Sequence, residues 1–200
     1  YDIIIIERKY VMAKKKIDPF IYYNVEATED FTRAIVQNDK LLFGLIELPS
    51  AKELIPCKYA RMDKFSCGRA VVYMDGKYGA IDMDGNEVIP LIYSEMTSFY
   101  NDRAVVIRDG KSGMIDISGN IVADFIYDET RYLPDAKTGV ICMIKDGLHG
   151  VLDLNGNEIV PFIYDYCSVE TEYLQNYYIS ATKDEKKALY DMKGNELFPL

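Results

Sequence analysis

Four aspartates recur at one position of this sequence, Asp82, Asp116, Asp153 and Asp191, each three residues before a glycine. Two carboxylates facing one bond can hydrolyse a glycoside, one as acid and the other as nucleophile or base. That chemistry needs one acid held neutral and one ionised, whereas these four share a single local setting. An Asp ahead of a tight turn bonds to nearby backbone N–H groups, and that structural role is the expectation here. The run Asp82-x-Asp84-Gly85-Asn86 resembles part of a calcium loop, which gathers about six to eight oxygens from alternate acidic positions and a distal Glu. The place of Asp84 is taken by Ser118, Asn155 and Lys193 in the other copies. A position that accepts a lysine specifies a turn rather than a cation cage. His149, the single histidine, is a general base by type. No Ser or Cys nucleophile stands in a recognisable motif beside it, and Tyr78, Ser112 and Lys187 replace it elsewhere. A variable surface side chain is expected, with a hydrolase built on Asp153 and His149 as the alternative.

Cys57, Cys67, Cys142 and Cys167 fall at four different repeat positions, with no Cys-x-x-Cys among them. This argues against a disulfide framework and, with one histidine, against zinc. Buried free thiols are expected, and a Cys57–Cys67 bridge stays open for an exported chain. Neither a metal nor a cofactor is predicted. The seventeen tyrosines, with no tryptophan, are the better binding candidates, because Tyr joins a large apolar ring to a polar tip. Tyr22, Tyr59, Tyr93, Tyr127 and Tyr164 recur beside Ile or another inward residue and should pack in the core or between repeats. Tyr78, Tyr100, Tyr132, Tyr166, Tyr173, Tyr177 and Tyr178 do not recur. Together with His149 they form the candidate binding surface, since repeat-specific residues on a shared scaffold carry selectivity.

These residues are positioned by repeats. The phrase Lys77-Tyr78-Gly79-Ala80-Ile81-Asp82 continues to Gly85-Asn86 and Pro90 and returns around Gly119, Gly156 and Gly194, at periods of 34, 37 and 38 residues. Periods of about 20–50 residues mark stacked or radial architectures in which no unit buries its apolar face alone. Six copies are read, roughly 1–30, 31–64, 65–98, 99–134, 135–172 and a truncated 173–200, in one continuous domain. Asp75-Gly76, Asp109-Gly110 and Asp146-Gly147 separate short apolar segments and predict tight hairpins. A second, structural turn is placed at Gly85, Gly119, Gly156 and Gly194, each at positive φ. Gly119 and Gly156 are expected to be more sensitive to substitution than Gly194.

Each unit therefore reads strand, turn, strand, turn, strand, then an extended Ile-Tyr piece. Residues 26–33 offer one helical turn at most. Pro19, Pro56, Pro90, Pro161 and Pro199 share the end of the third strand, where the missing N–H should place them at an edge or terminate pairing. The fold class is all-β, with tandem hairpin or meander repeats in an elongated or twisted array. A closed propeller is the alternative, although about 35 residues is lean for a four-stranded blade.

The stretch from Lys77 through Asp82 to Pro90, Tyr93 and Phe99 resembles the bacterial WG (or KWG) repeat. The name-giving Trp is absent: Tyr10, Phe43, Tyr78, Ser112, His149 and Lys187 stand in its place, and the following Gly is Val11 and Ala188 in the outer copies. The resemblance implies β repeats and an interaction or scaffold role, and no reaction.

A hydrophobic content of 49% suits a substantial core. A net charge of −9 and a pI near 4.7 argue against nucleic acid, which requires clustered Lys and Arg. The one basic run, residues 14–16, reads as a solvated turn. No stretch reaches the roughly 18 apolar residues of a membrane-spanning helix. The sequence opens on Tyr1, so a processed mature protein or a fragment of a longer one is expected. Export to a bacterial cell surface is favoured over the cytoplasm. The functional expectation is a non-catalytic scaffold that binds a protein partner, with a cell-surface carbohydrate-binding module as the alternative.

Overall fold

A strand needs only a few β-branched or aromatic residues between turns, and each copy supplies several such runs. The computed structural model describes residues 22–132, 138–172 and 176–199, without the side chains of residues 131, 132, 171, 172 and 176. Expectations for residues 3–6 and 14–16, Tyr10, Val11, Pro19 and Tyr173 lie outside the described residues, as does the side chain of Tyr132. The described residues form five four-stranded antiparallel meanders and contain no helix. Tandem all-β meander repeats are therefore what this chain folds into. No helix among the described residues is long and apolar enough to cross a membrane.

The first sheet holds β1 (Asn24–Ala27), β2 (Arg33–Gln37), β3 (Phe43–Glu47) and β4 (Glu53–Tyr59). The second holds β5 (Arg61–Met62), β6 (Arg69–Met74), β7 (Lys77–Asp82) and β8 (Glu87–Tyr93). The third holds β9 (Glu95–Met96), β10 (Arg103–Arg108), β11 (Lys111–Asp116) and β12 (Ile121–Tyr127). The fourth holds β13 (Glu129–Tyr132), β14 (Val140–Lys145), β15 (Leu148–Asp153) and β16 (Glu158–Tyr164). The fifth holds β17 (Tyr166–Glu172), β18 (Asn176–Lys183), β19 (Lys186–Tyr190) and β20 (Glu196–Phe198). Sheets begin at residues 24, 61, 95, 129 and 166, a few residues ahead of the copy boundaries read from the sequence. The opening strands β5 and β9 are two residues long and carry no periodic signal. Their brevity is also how four strands fit into about 35 residues. By its contacts the chain divides into two compact units, Tyr1–Ile92 and Tyr93–Leu200.

Both turns follow from backbone geometry. Met74 pairs with Lys77 and Lys145 with Leu148, leaving two-residue loops Asp75-Gly76 and Asp146-Gly147 with φ of 51°/80° and 52°/76°. Positive φ at both positions matches the right-handed twist of the flanking strands. In the second turn the Gly85 N–H donates to the Asp82 carbonyl (3.1 Å) and the Asp82 N–H to the Asn86 carbonyl (3.0 Å). Gly85, Gly119, Gly156 and Gly194 lie at φ +87°, +86°, +82° and +84°.

The prolines lie on edge strands as expected, but their place within the strand needs a correction. Pro56, Pro90 and Pro161 stand inside β4, β8 and β16, the last strands of their sheets, rather than at strand ends. Phe43 pairs with Tyr59 and Leu45 with Ile55, so the segment around Pro56 bulges across Gly44. His149 pairs with Tyr164 and Val151 with Val160, which repeats the bulge at Pro161. The bulge absorbs the missing N–H and lets the strand continue to its tyrosine. The Ile-Tyr pair is thus the end of the third long strand, not a separate piece. The bulge also explains the glycine opposite it: a Cβ at Gly44 would lie 2.6 Å from the Ile55 carbonyl oxygen, as one at Gly79 would lie 2.5 Å from that of Ile89. In the fifth sheet Ala188 takes the glycine's place and is buried.

The inner strands bury consecutive residues, such as Ala70-Val71-Val72 and Ala104-Val105-Val106, because both faces of the sheet are covered. In the first unit Ile35, Leu45 and Tyr59 pack with Met62, Val72 and Ile81 of the next sheet. In the second, Val105, Met114 and Tyr127 meet Ile141, Met143 and Leu152, and Cys142, Val160 and Tyr164 meet Ile179, Ala188 and Tyr190. Backbone contacts lock these pairs. Arg33 Nε donates to the Met83 carbonyl (3.0 Å) and Arg103 Nε to the Leu154 carbonyl (2.6 Å). A Cβ at Gly156 would lie 2.1 Å from the Val122 oxygen, and one at Gly194 2.3 Å from the Ile159 oxygen. The expected greater tolerance at Gly194 therefore has no steric basis.

Candidate binding surface

The recurring aspartates close their own turns. Asp82 Oδ1 accepts from the Asp84 and Asn86 N–H groups (2.9 and 2.8 Å), and Oδ2 accepts from Asn86 Nδ2 (3.0 Å). Asp116, Asp153 and Asp191 accept the same three bonds at 2.7–2.9 Å. Partial burial pushes Asp82, Asp116 and Asp153 upward, but these bonds outweigh it and hold each carboxyl below the ordinary range. At Asp191 the Asn195 side chain is the largest cause of the same lowering. Four identically ionised acids, each occupied by its own turn, provide no acid–base pair. No group of three or more His, Cys, Asp or Glu that could hold a metal occurs among the described residues.

His149 is not the surface residue expected from its variable neighbours. It is 5% exposed, and its ring lies 5.5 Å from that of Tyr166. Ser112, at the same repeat position, is also buried, whereas Phe43 and Tyr78 there are half-buried and Lys187 is exposed. Burial pushes the Cys142 and Cys167 thiols up to about 12, with the neighbouring Cys142 adding to the rise at Cys167. Both are held as thiols, which are poor nucleophiles. Cys67 is exposed in a tight turn, and none of the four cysteines is in a disulfide.

The tyrosines divide by recurrence. Tyr59, Tyr93, Tyr127 and Tyr164 are buried, and the Tyr164 and Tyr190 hydroxyls share a hydrogen bond. Tyr22 is half-buried. Of the repeat-specific set, Tyr100 and Tyr166 are exposed at 42% and 47%. Tyr78 is half-buried with its ring 4.6 Å from Tyr73, and Tyr177 and Tyr178 are half-buried on β18. Tyr132 pairs through its backbone with Cys142. Tyr78 belongs to the first unit, and Tyr100, Tyr166, Tyr177 and Tyr178 belong to the second.

A feature absent from the sequence reading lies in the first unit. Between the β1–β2 turn and the turn before β6 is a cleft of about 580 Å³. Phe31, Ile35, Phe65 and Met83 supply its apolar lining, and Glu26, Glu29 and Asp30 its acidic one. Phe31 is 52% exposed at φ +55°. Asp30 is locked by the Thr28 hydroxyl (2.6 Å), the Thr32 N–H (3.0 Å) and the Thr32 hydroxyl (2.8 Å), which hold its carboxyl down at about 2. Lys64 Nζ reaches Glu26 at 2.5 Å, with the Lys64 side chain largely in solvent and that of Glu26 about half so. A smaller cleft of about 310 Å³ in the second unit is lined by Glu95, Met96, Asp128 and Glu129 among others. The signal for the larger cleft was Phe65, which shares a position with the buried Phe99. Phe31 lies one 34-residue period before Phe65 but in a turn of different length, which displaces it from the place that Phe65 and Phe99 share.

The model of the WG containing repeat matches residues 43–78, 78–111, 113–134 and 150–172. The chain belongs to the WG repeat family. Each match opens at or just after the residue that replaces the family tryptophan: Phe43, Tyr78, and the positions following Ser112 and His149. The WG glycine is thus the residue under the bulge, and the lost tryptophan is replaced by side chains that are half-buried (Phe43, Tyr78), fully buried (Ser112, His149) or exposed (Lys187). No curated protein matches the chain. Among solved structures it is similar to the dihydro-heme d1 dehydrogenase NirN, at 12% identity and a TM-score of 0.42 over 88% of this chain and 46% of that one. Kluyveromyces lactis Hsv2 aligns at 10% identity and 0.44 over 87% and 61%. BamB from Moraxella catarrhalis aligns at 10% and 0.40 over 88% and 62%. The chain spans less than two thirds of each, and neither closure nor role transfers at that level of similarity.

Proposed function

We propose that this WG repeat chain is a non-catalytic scaffold that binds a protein partner through its repeat surface. One observation carries the reading. Of the recurring tyrosines Tyr59, Tyr93, Tyr127 and Tyr164 are buried, while three of the aromatic side chains that differ between repeats, Phe31, Tyr100 and Tyr166, stand about half exposed. A uniform frame bearing non-uniform aromatic groups is how repeat domains select partners. The absence of catalysis is supported by the four equivalent, turn-bound aspartates and by the burial that keeps Cys142 and Cys167 protonated.

Affinity capture from the cells that express the chain, followed by calorimetry with the purified partner, tests the proposal. Tyr100→Ser and Tyr166→Ser together, or Phe31→Ser, should weaken binding at least about tenfold with folding intact. Binding on a glycan array, with no protein partner titrating, would overturn it in favour of a carbohydrate module. Turnover lost in Asp153→Asn would overturn the non-catalytic part.

A further inference from the structure

The first-unit cleft combines two properties that are seldom neighbours without a ligand. Its apolar side chains include an aromatic residue left half in water on a tight turn, and its remaining lining is acidic. Among the charged groups that line it, three are carboxylates and one is an ammonium. Lys64, the ammonium, sits against Glu26 with 81% of its own side chain exposed. Such a pair is worth only about 0–1 kcal/mol, so an incoming cation can replace Lys64 at little cost. Lys64 thereby marks where a foreign cation would rest. Asp30 is fixed by its threonines and supplies permanent negative charge rather than a mobile contact. A cleft of this size accommodates a few side chains, and its charge repels phosphates and acidic segments.

We infer that this cleft takes a cationic peptide segment of a partner protein, seating a bulky apolar side chain against Phe31 and Phe65 while an adjacent Lys or Arg meets Glu26 and Glu29. The inference rests on the protein-binding reading above and names the chemistry of the partner at one site. Charge complementarity sets the choice: Glu26, Glu29 and Asp30 favour a basic segment, and the phenylalanines require that it be apolar as well as basic.

The test uses a fluorescein-labelled hexapeptide of alternating arginine and phenylalanine, read by anisotropy against the full chain. Two control peptides replace phenylalanine by serine or arginine by glutamate. Three variants are compared: Phe31→Ser and Glu29→Lys in the cleft, and Glu158→Lys on an exposed position of β16, which changes net charge equally. Each cleft variant should weaken the arginine–phenylalanine peptide at least about tenfold, and Glu158→Lys less than about twofold. The peptide should also slow maleimide labelling of Cys67, which lines the cleft. Failure of the arginine–phenylalanine peptide to bind, equal binding of the serine control, equal loss in Glu158→Lys, or unchanged Cys67 labelling would each overturn the inference. The two readings fail separately. A native partner that binds Phe31→Ser and Glu29→Lys as it binds wild type removes the cleft and leaves the scaffold. Peptide binding in the cleft with no protein partner for the chain does the reverse.

Discussion

Replacing Gly156 by Ala should cost clearly more than replacing Gly147 by Ala, although both glycines lie at positive φ. Gly147 (φ +76°) faces open space, with nothing within 4 Å of an added Cβ. A methyl group there meets only the left-handed backbone penalty of about 1–2 kcal/mol. Glu185 already occupies the corresponding position of the fifth sheet at φ 63°. At Gly156 (φ +82°) the Cβ would lie 2.1 Å from the Val122 oxygen and 3.0 Å from its carbonyl carbon, where ordinary contact begins at 3.4 Å. The obstacle is the backbone of β12, held to β11 by the Met114–Ala123 and Ile115–Ile121 pairs on either side. Relief requires the turn to lift off the preceding sheet or β12 to move, and overpacking of that kind adds about 1–3 kcal/mol. In a chain of this length each kcal/mol is about 2–4 °C, so Gly156→Ala should melt about 2–12 °C below Gly147→Ala. Urea unfolding followed by far-UV circular dichroism and tyrosine fluorescence gives the free energies directly. Equal losses in the two variants would refute the idea that this turn is seated on the neighbouring sheet. Gly194→Ala, blocked by the Ile159 carbonyl, should match Gly156→Ala.

The WG glycine gives a related order: Gly79→Ala meets the Ile89 and Pro90 backbone at 2.5 and 2.9 Å, whereas Gly150→Ala meets the Phe162 ring at 2.7 Å. A ring can turn aside and a bulged strand cannot, so Gly79→Ala should lower the urea midpoint more. Tyr190→Phe strands the buried Tyr164 hydroxyl and should cost about 1–3 kcal/mol in chemical denaturation, part of which the added Tyr164→Phe restores. Because the folded-state carboxyls of Asp82, Asp116, Asp153 and Asp191 are lowered, their stabilisation is complete above the unfolded value of about 3.9 and is lost as pH falls through the folded values. Urea midpoints should fall steeply below about pH 4, and Asp153→Asn should be less stable at neutral pH and shallower in that fall. A chromogenic disulfide reagent should titrate Cys67 well before Cys142 and Cys167, which should react only on unfolding.

What the sequence declared was its turns. Asp75-Gly76 and Gly85-Asn86 are local devices, because φ > 0 is a property of one or two residues and needs no distant partner. The bulge was not legible: Pro56 announces a missing N–H, but whether the strand stops or steps over it depends on the glycine in β3 that lies beneath. His149 misled for a similar reason. Its variable column suggests solvent, which holds for Lys187, yet His149 is buried beside the Tyr166 ring. The cleft was hidden because Phe31 belongs to a turn of non-repeating length and its neighbour across the gap, Phe65, sits 34 residues away. Only the contact between successive sheets joins them.

The passage from one sheet to the next takes a single residue: Ala60, Ser94, Asp128 and Asp165. There is no slack at these joints to absorb an added or missing residue, so a change in chain length there would pull two strands out of register at once. The hairpin loops, by contrast, can be lengthened one copy at a time. A gene built from such units is therefore free to drift in its loops and is constrained at its joints, and it can grow or shrink by whole periods only. The cut points need not coincide with the sheets, since a period excised from any starting phase rejoins like to like. Lineages carrying this repeat should accordingly differ in copy number by integers, while the step from tyrosine to the next strand keeps its length.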